Sequence, residues 1–149
     1  PERQAGPPRG LAPSSMFRRG NLAPAIRNLQ RRTNDARVQL VTLDAEKLFV
    51  TAVRGRSVML ATQTWEGETT LYRSDSGPSA ASTFPWSRLD PSAPNRIVRA
   101  ATRGRSPSAI ENMVLLDPAG PFPLSWSVFL RNGDQYNASP DGRRVEKIG

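Results

Sequence analysis

Apolar and polar residues alternate along most of this chain, and the alternation stops at clusters of Gly, Pro, Asn and Asp. VQLVTLD (38–44) and KLFVTAV (47–53) carry β-branched and apolar residues at strand spacing, with residues 44–46 as a short turn. RGRS (54–57) is a second turn, SVMLATQTW (57–65) a third strand and TTLYR (69–73) a fourth. The pattern then changes period. In NLAPAIRNLQRR, Leu22, Ile26 and Leu29 fall four and three apart, the spacing of one helix face, with Asn21 as the expected cap and TND (33–35) as the end. SAPNRIVRAATRG (92–104) predicts a second helix, with Ser92 capping, Pro94 in the first turn, Ile97, Ala100 and Ala101 facing inward, and Gly104 just past the end. Between these, FPWSRLDPSAPNR is irregular, and Phe84, Trp86 and Leu89 are expected to anchor it to the body.

The rest of the chain returns to strands. AIENMVLLD (109–117) and LSWSVFLR (124–131) flank the proline-stiffened loop PAGPFP, and Asn132–Gly133 predicts a tight hairpin turn. DQYNAS (134–139), the turn PDG (140–142) and RRVEKI (143–148) complete the series. Both halves therefore read helix, strand, strand, strand, short strand. VTLD (41–44) matches VLLD (114–117), and WEG (65–67) matches PDG (140–142), at an offset of roughly 70 to 80 residues. Two copies at so long a period indicate a duplicated module and not a solenoid. The expected fold class is α+β: a curved antiparallel sheet with two helices on one face, made of two α-β-β-β(-β) repeats at about 20–74 and 90–149. Residues 1–15, PERQAGPPRGLAPSS, offer little to bury and are expected to form a disordered Pro/Arg-rich linker ahead of a single domain at 16–149.

The last meander carries a further pattern: Trp126, Val128, Gly133, Tyr136, Ala138, Asp141, Gly142 and Val145. In this spacing the stretch 110–149 resembles a PepSY-type module. The resemblance implies a non-enzymatic, extracytoplasmic domain that binds or restrains other proteins. A tandem of such units is also similar to β-lactamase inhibitor proteins, without their disulfides, and to small outer-surface lipoproteins.

Composition narrows the chemistry. The chain has no cysteine and no histidine, which removes disulfides, thiolate nucleophiles, thiolate metal sites and the usual neutral-pH general base. No phosphate-binding glycine loop is present. The carboxylate pairs Asp44/Glu46 and Glu66/Glu68 have the spacing to share a strand face, and as turn residues beside arginines they read more readily as solvated charge. The expectation is no catalytic residue, no metal site and no cofactor.

Net charge is +8, from 19 arginines against two lysines, Lys47 and Lys147. Such a field attracts anions, although arginine richness is also what a G+C-rich genome produces. The charge forms stripes on the two helices, where Arg27, Arg31, Arg96, Arg99 and Arg103 are the expected partner-binding residues. The leading expectation is an extracytoplasmic, membrane- or envelope-associated binding domain. Its partner is a protein or an anionic envelope component, met through the helices or an open sheet face. The alternative is a small basic nucleic-acid-binding protein, with aromatic side chains stacking on bases. No hydrophobic run approaches the ~20 residues that span a bilayer. The chain opens on Pro1, so an upstream signal or anchor stays open.

Overall fold

A computed structural model describes residues 6–75, 82–118 and 121–148. Outside the described residues lie 1–5 of the expected linker, 76–81 of the SDSGPSAAS loop, 119–120 of the PAGPFP loop and Gly149. The chain runs α1 (Arg19–Arg32), β1 (Arg37–Leu43), β2 (Lys47–Arg54), β3 (Ser57–Thr64), β4 (Thr69–Ser74), α2 (Ala93–Ala101), β5 (Ile110–Leu116), β6 (Ser125–Leu130), β7 (Gln135–Ala138) and β8 (Val145–Ile148). The strands form one antiparallel sheet in the order β4-β3-β2-β1-β5-β6-β7-β8. Six of its seven pairings join neighbours in sequence. The seventh, β1 with β5, joins the halves through Val41 opposite Leu115 and Leu43 opposite Met113.

Both helices lie on one face of the sheet. Leu22, Ala25, Ile26 and Leu29 of α1 and Ala93, Pro94, Ile97, Val98 and Ala101 of α2 are buried. They share one core with the inward positions of the strands, among them Val41, Leu48, Met113, Trp126 and Val128. Each fully buried side chain of this size contributes about 1.5–3 kcal/mol. The anchored loop is present: Phe84, Trp86 and Leu89 are buried, and the Trp86 Nε1–H donates to the Ala36 carbonyl at 2.6 Å.

The helix starts differ from the expectation. Helix α1 begins at Arg19, so Asn21 sits in its first turn and not at the cap. Its amide nitrogen is occupied elsewhere, donating to the carbonyls of Pro13 and Ser15 at 2.8 Å each. Ser92 stands at the N-cap of α2 as expected but makes no side-chain capping bond; its hydroxyl accepts from Arg19 Nη1 at 2.6 Å, tying the starts of the two helices together. The ends match each other. Thr33 and Thr102 are buried, and each hydroxyl donates to the carbonyl four residues back, Leu29 and Val98.

Order and register repeat between the halves. The pairing of β1 with β2 shifts between Val38 and Leu40, and that of β5 with β6 shifts between Ile110 and Asn112. Val38, Val41 and Leu43 are buried, as are Ile110, Met113 and Leu115, each 72 residues on. The match of VTLD to VLLD is therefore one residue out of structural register. It would set buried Val41 on half-buried Val114, which faces the other way, because one step along a strand exchanges the faces.

Residues 6–15 also depart from the extended linker expected of them. Pro8, Gly10 and Ser15 are buried, and the segment crosses the body. Gly10 sits at φ +53° with so little room that a Cβ would come 2.7 Å from the Ser108 nitrogen. Arg18 Nε donates to the Leu11 and Ala12 carbonyls, which fastens the segment to the start of α1. Low apolar content misleads here because glycine and proline make the contact with backbone, not with side chains.

Candidate functional site

Two surfaces of opposite character lie on the two sides of the sheet. The first is the outer side of the helices. Helices α1 and α2 carry six arginines, at 19, 27, 31, 32, 96 and 99, and no acidic residue. Arg27, Arg31, Arg32 and Arg99 are exposed, as is Arg103 just beyond α2. Among the described residues none of these five has an acidic partner. Arg31 reaches only Asn28 Oδ1 at 3.4 Å, and Arg99 Nε donates to Asn95 Oδ1 at 2.7 Å. A guanidinium bonded only to a neutral neighbour keeps donors for a planar anion.

Arg96 is placed differently. Its Nη1 donates to the Asp141 carbonyl at 2.7 Å and lies 3.6 Å from Asp90 Oδ2. It clamps the β7–β8 turn onto the first turn of α2. The same turn brings Gly142 against Ala93 and seats the Trp126 indole, which donates to the Pro140 carbonyl at 3.3 Å. Of the five arginines expected to bind a partner, Arg27, Arg31, Arg99 and Arg103 remain on the outward surface, and Arg96 belongs to the fold.

The acidic side chains serve turns. Asp44 Oδ1 accepts from the backbone N–H of Glu46 and of Lys47 and closes the β1–β2 hairpin. Glu66 and Glu68 are exposed at the next hairpin on that end. Asp134 accepts from Arg105 at 2.9 Å and Asn132 at 3.2 Å, with Lys147 Nζ 3.5 Å away. The hydrogen bond from Arg105, then that from Asn132, holds its carboxyl below the ordinary aspartate value of 3.8. Asp141 is lowered too, first by the Arg143 backbone N–H and then by the Ser139 hydroxyl. No group of three or more metal-ligating side chains is assembled among the described residues. A polar cleft of about 400 Å³ opens where residues 8–10 cross the ends of β1 and β5, lined by Arg9, Asp44, Glu111 and Arg131 among others.

The second surface is the face of the sheet away from the helices. Register assigns its members, since paired residues share a face. One row runs across five strands, Tyr72, Leu60, Thr51, Leu40 and Leu116. The next runs Thr62, Phe49, Thr42, Val114 and Ser127. Over β1–β6 the charged side chains on this face are Arg37, Lys47 and Glu111, all at or next to strand ends. Leu40, Phe49, Leu60 and Val114 are half-buried, while Tyr72 is 65% and Leu116 44% exposed, two of the most exposed large apolar side chains of the molecule. The sequence signal for this surface is present in hindsight: β1 to β3 carry apolar residues at both parities, as Leu40 beside Val41 and Phe49 beside Val50.

Of the aromatic groups, Phe122 is exposed and Trp65 half-buried. Phe17, Phe84, Trp86 and Trp126 are buried, and Tyr72 faces away from the helices.

No helix among the described residues is long and apolar enough to cross a membrane. No protein-family model matches the chain, so the PepSY resemblance has no support from that comparison, and no curated protein matches it in sequence. One solved structure shares its fold, that of a candidate lipoprotein from Clostridium difficile 630. The match has 13% identity and a TM-score of 0.56, and it covers 95% of this chain and 100% of that one.

Proposed function

We propose that this chain is a non-catalytic, extracytoplasmic binding domain whose helix side meets an anionic component of the envelope, the phosphate groups of an anionic membrane surface. The observation that carries the reading is the helix side, where Arg27, Arg31, Arg32, Arg99 and Arg103 are exposed without an acidic partner among the described residues and neither helix carries an acidic residue. Arginine near an anionic lipid surface contributes about 1 kcal/mol per residue. Five exposed arginines bind weakly alone and effectively when the domain is held at the surface by a tether. The envelope setting is supported by the shared fold with the candidate lipoprotein. A tether ahead of the described residues would leave the body at Gly6, which lies beside Glu46, Thr64 and Trp65.

The nucleic-acid alternative draws on the same charge. Its stacking groups are few: Trp86 and Trp126 are enclosed and Tyr72 is on the far side of the sheet, which leaves exposed Phe122 and half-buried Trp65.

The test is co-sedimentation of the full chain with vesicles of phosphatidylglycerol in phosphatidylcholine, against phosphatidylcholine alone. The expected result is binding to the anionic vesicles only, falling with salt, and at least ~100-fold weaker in Arg27→Glu/Arg31→Glu/Arg99→Glu/Arg103→Glu. Equal binding by the quadruple variant overturns the reading. So does a preference for DNA or RNA over the vesicles at equal salt.

A further inference from the structure

We infer that the open face of the sheet is an interface between two copies of this chain, stacked face to face with both helix layers outward. This does not depend on the function proposed above.

Three observations select a second copy as the occupant. The first is charge. The protein carries +8, yet the centre of this face is uncharged, with Arg37, Lys47 and Glu111 confined to positions at or next to strand ends and Glu146 to the edge strand β8. A second copy brings an equally neutral face to the contact and keeps its arginines on the far side of its own sheet. Pairing through the helix layers would instead set arginine helices against arginine helices. An apolar centre inside a charged margin is the anatomy of an interface.

The second observation is extent. Six strands spaced about 4.8 Å apart span about 24 Å, and three alternate positions along each strand span about 14 Å, a projected patch of roughly 350 Å² per copy. That falls within the range of about 300–600 Å² for the largest patch on a typical monomer, a patch that is often functional. It lies below the ~800 Å² per partner of a standard stable interface, so a reversible dimer is expected.

The third is texture. The central rows alternate large and small side chains: Leu60, Thr51, Leu40 along one, Thr62, Phe49, Thr42, Val114 along the next. Thr51 is only 9% exposed between its taller neighbours. Faces of this relief interdigitate at the ~10 Å separation of packed sheets. Contact with an identical face is the self-complementary arrangement of a two-fold dimer.

Sedimentation equilibrium of the full chain over a concentration series tests the inference. The expected mass rises from 16.3 kDa toward twice that value as concentration passes through the micromolar range. Tyr72→Glu/Leu116→Glu, at two exposed positions that the fold tolerates, is expected to stay monomeric with an unchanged circular dichroism melt. Because the chain has no cysteine, Thr42→Cys and Arg27→Cys report geometry independently. A short bis-maleimide is expected to link Thr42→Cys into dimers and to leave Arg27→Cys monomeric. A wild-type chain monomeric at several hundred micromolar overturns the inference. A dimer that survives the double variant, or that cross-links through Arg27→Cys and not Thr42→Cys, overturns it as well.

Discussion

Gly142 lies so close to Ala93 that a methyl group on it would stand 2.7 Å from the Ala93 carbonyl oxygen. The β7–β8 turn is thus pressed onto the start of α2, and Gly142 also holds φ +73°. Gly67, in the corresponding β3–β4 turn, has φ +89° and open space around it. Gly142→Ala is expected to cost about 2–4 kcal/mol, from left-handed backbone and steric overlap together. Gly67→Ala is expected to cost about 1–2 kcal/mol from backbone alone. Urea unfolding of the two variants measures the difference. Equal losses would show that the Ala93 contact relaxes freely.

Arginines of the helix side divide by role. Arg96→Ala removes the bond to the Asp141 carbonyl and is expected to destabilise by about 1 kcal/mol, because the group is partly exposed. Arg27→Ala is expected to change stability by less than about 0.5 kcal/mol. Thermal melts check both. A larger loss for Arg27 than for Arg96 would reverse the assignment.

Acid stability follows from Asp134 and Asp141. Both carboxyls are held below the ordinary aspartate value of 3.8 in the folded state. A carboxyl lowered in this way binds protons more readily when unfolded. Its stabilisation is complete above the unfolded value and disappears as pH falls through the folded one. Stability is therefore expected to be level with respect to these two groups near pH 6 and to decline below about pH 4. Asp134→Asn is expected to be less stable at pH 6 and to lose less between pH 5 and pH 2.5. Urea midpoints across that range give the answer, and identical slopes for wild type and variant would refute the linkage.

The N-terminal segment is expected to be fastened by its glycine. Gly10→Val places a branched side chain where a Cβ already meets the Ser108 nitrogen at 2.7 Å and requires a left-handed backbone. The expected outcome is release of residues 6–15, seen as rapid amide exchange at Ser15 and Met16, whose N–H groups bond to Ala12 and Ala45. Unchanged protection there would show that the segment is held by other contacts.

Much of this architecture is legible in the sequence. The strands fall within one to two residues of the alternating runs because one face of each is buried against the helices. The helix starts are less legible. Asn21 and Ser92 have the chemistry of caps, but Pro13, Ser15 and Arg19, remote or preceding groups, claim their side chains. The likeness of VTLD to VLLD pairs the two halves one residue away from their structural match, since only the buried pattern fixes which side of a strand faces the core. For the site, the stripe positions of Arg27, Arg31 and Arg99 follow from helical spacing. The role of Arg96 does not, because its partner Asp141 is 45 residues away. The open face is partly legible, in the apolar residues at both parities of β1 to β3, but its central row forms only when Leu40 meets Leu116.

That meeting bears on how the molecule assembles. Every strand pairing but one closes over a hairpin or short loop, whereas β1 and β5 bring together residues 70 to 76 positions apart. Each half can zip its own meander cheaply, and the slow event is the encounter of two preformed edges. Until it happens, β1 and β5 each present an unsatisfied ladder flanked by core residues, the kind of edge that captures the wrong chain. The central seam of the sheet is therefore the point at which folding and aggregation compete, and changes at Val41 or Met113 should slow the encounter more than equal losses of stability at the outer strands.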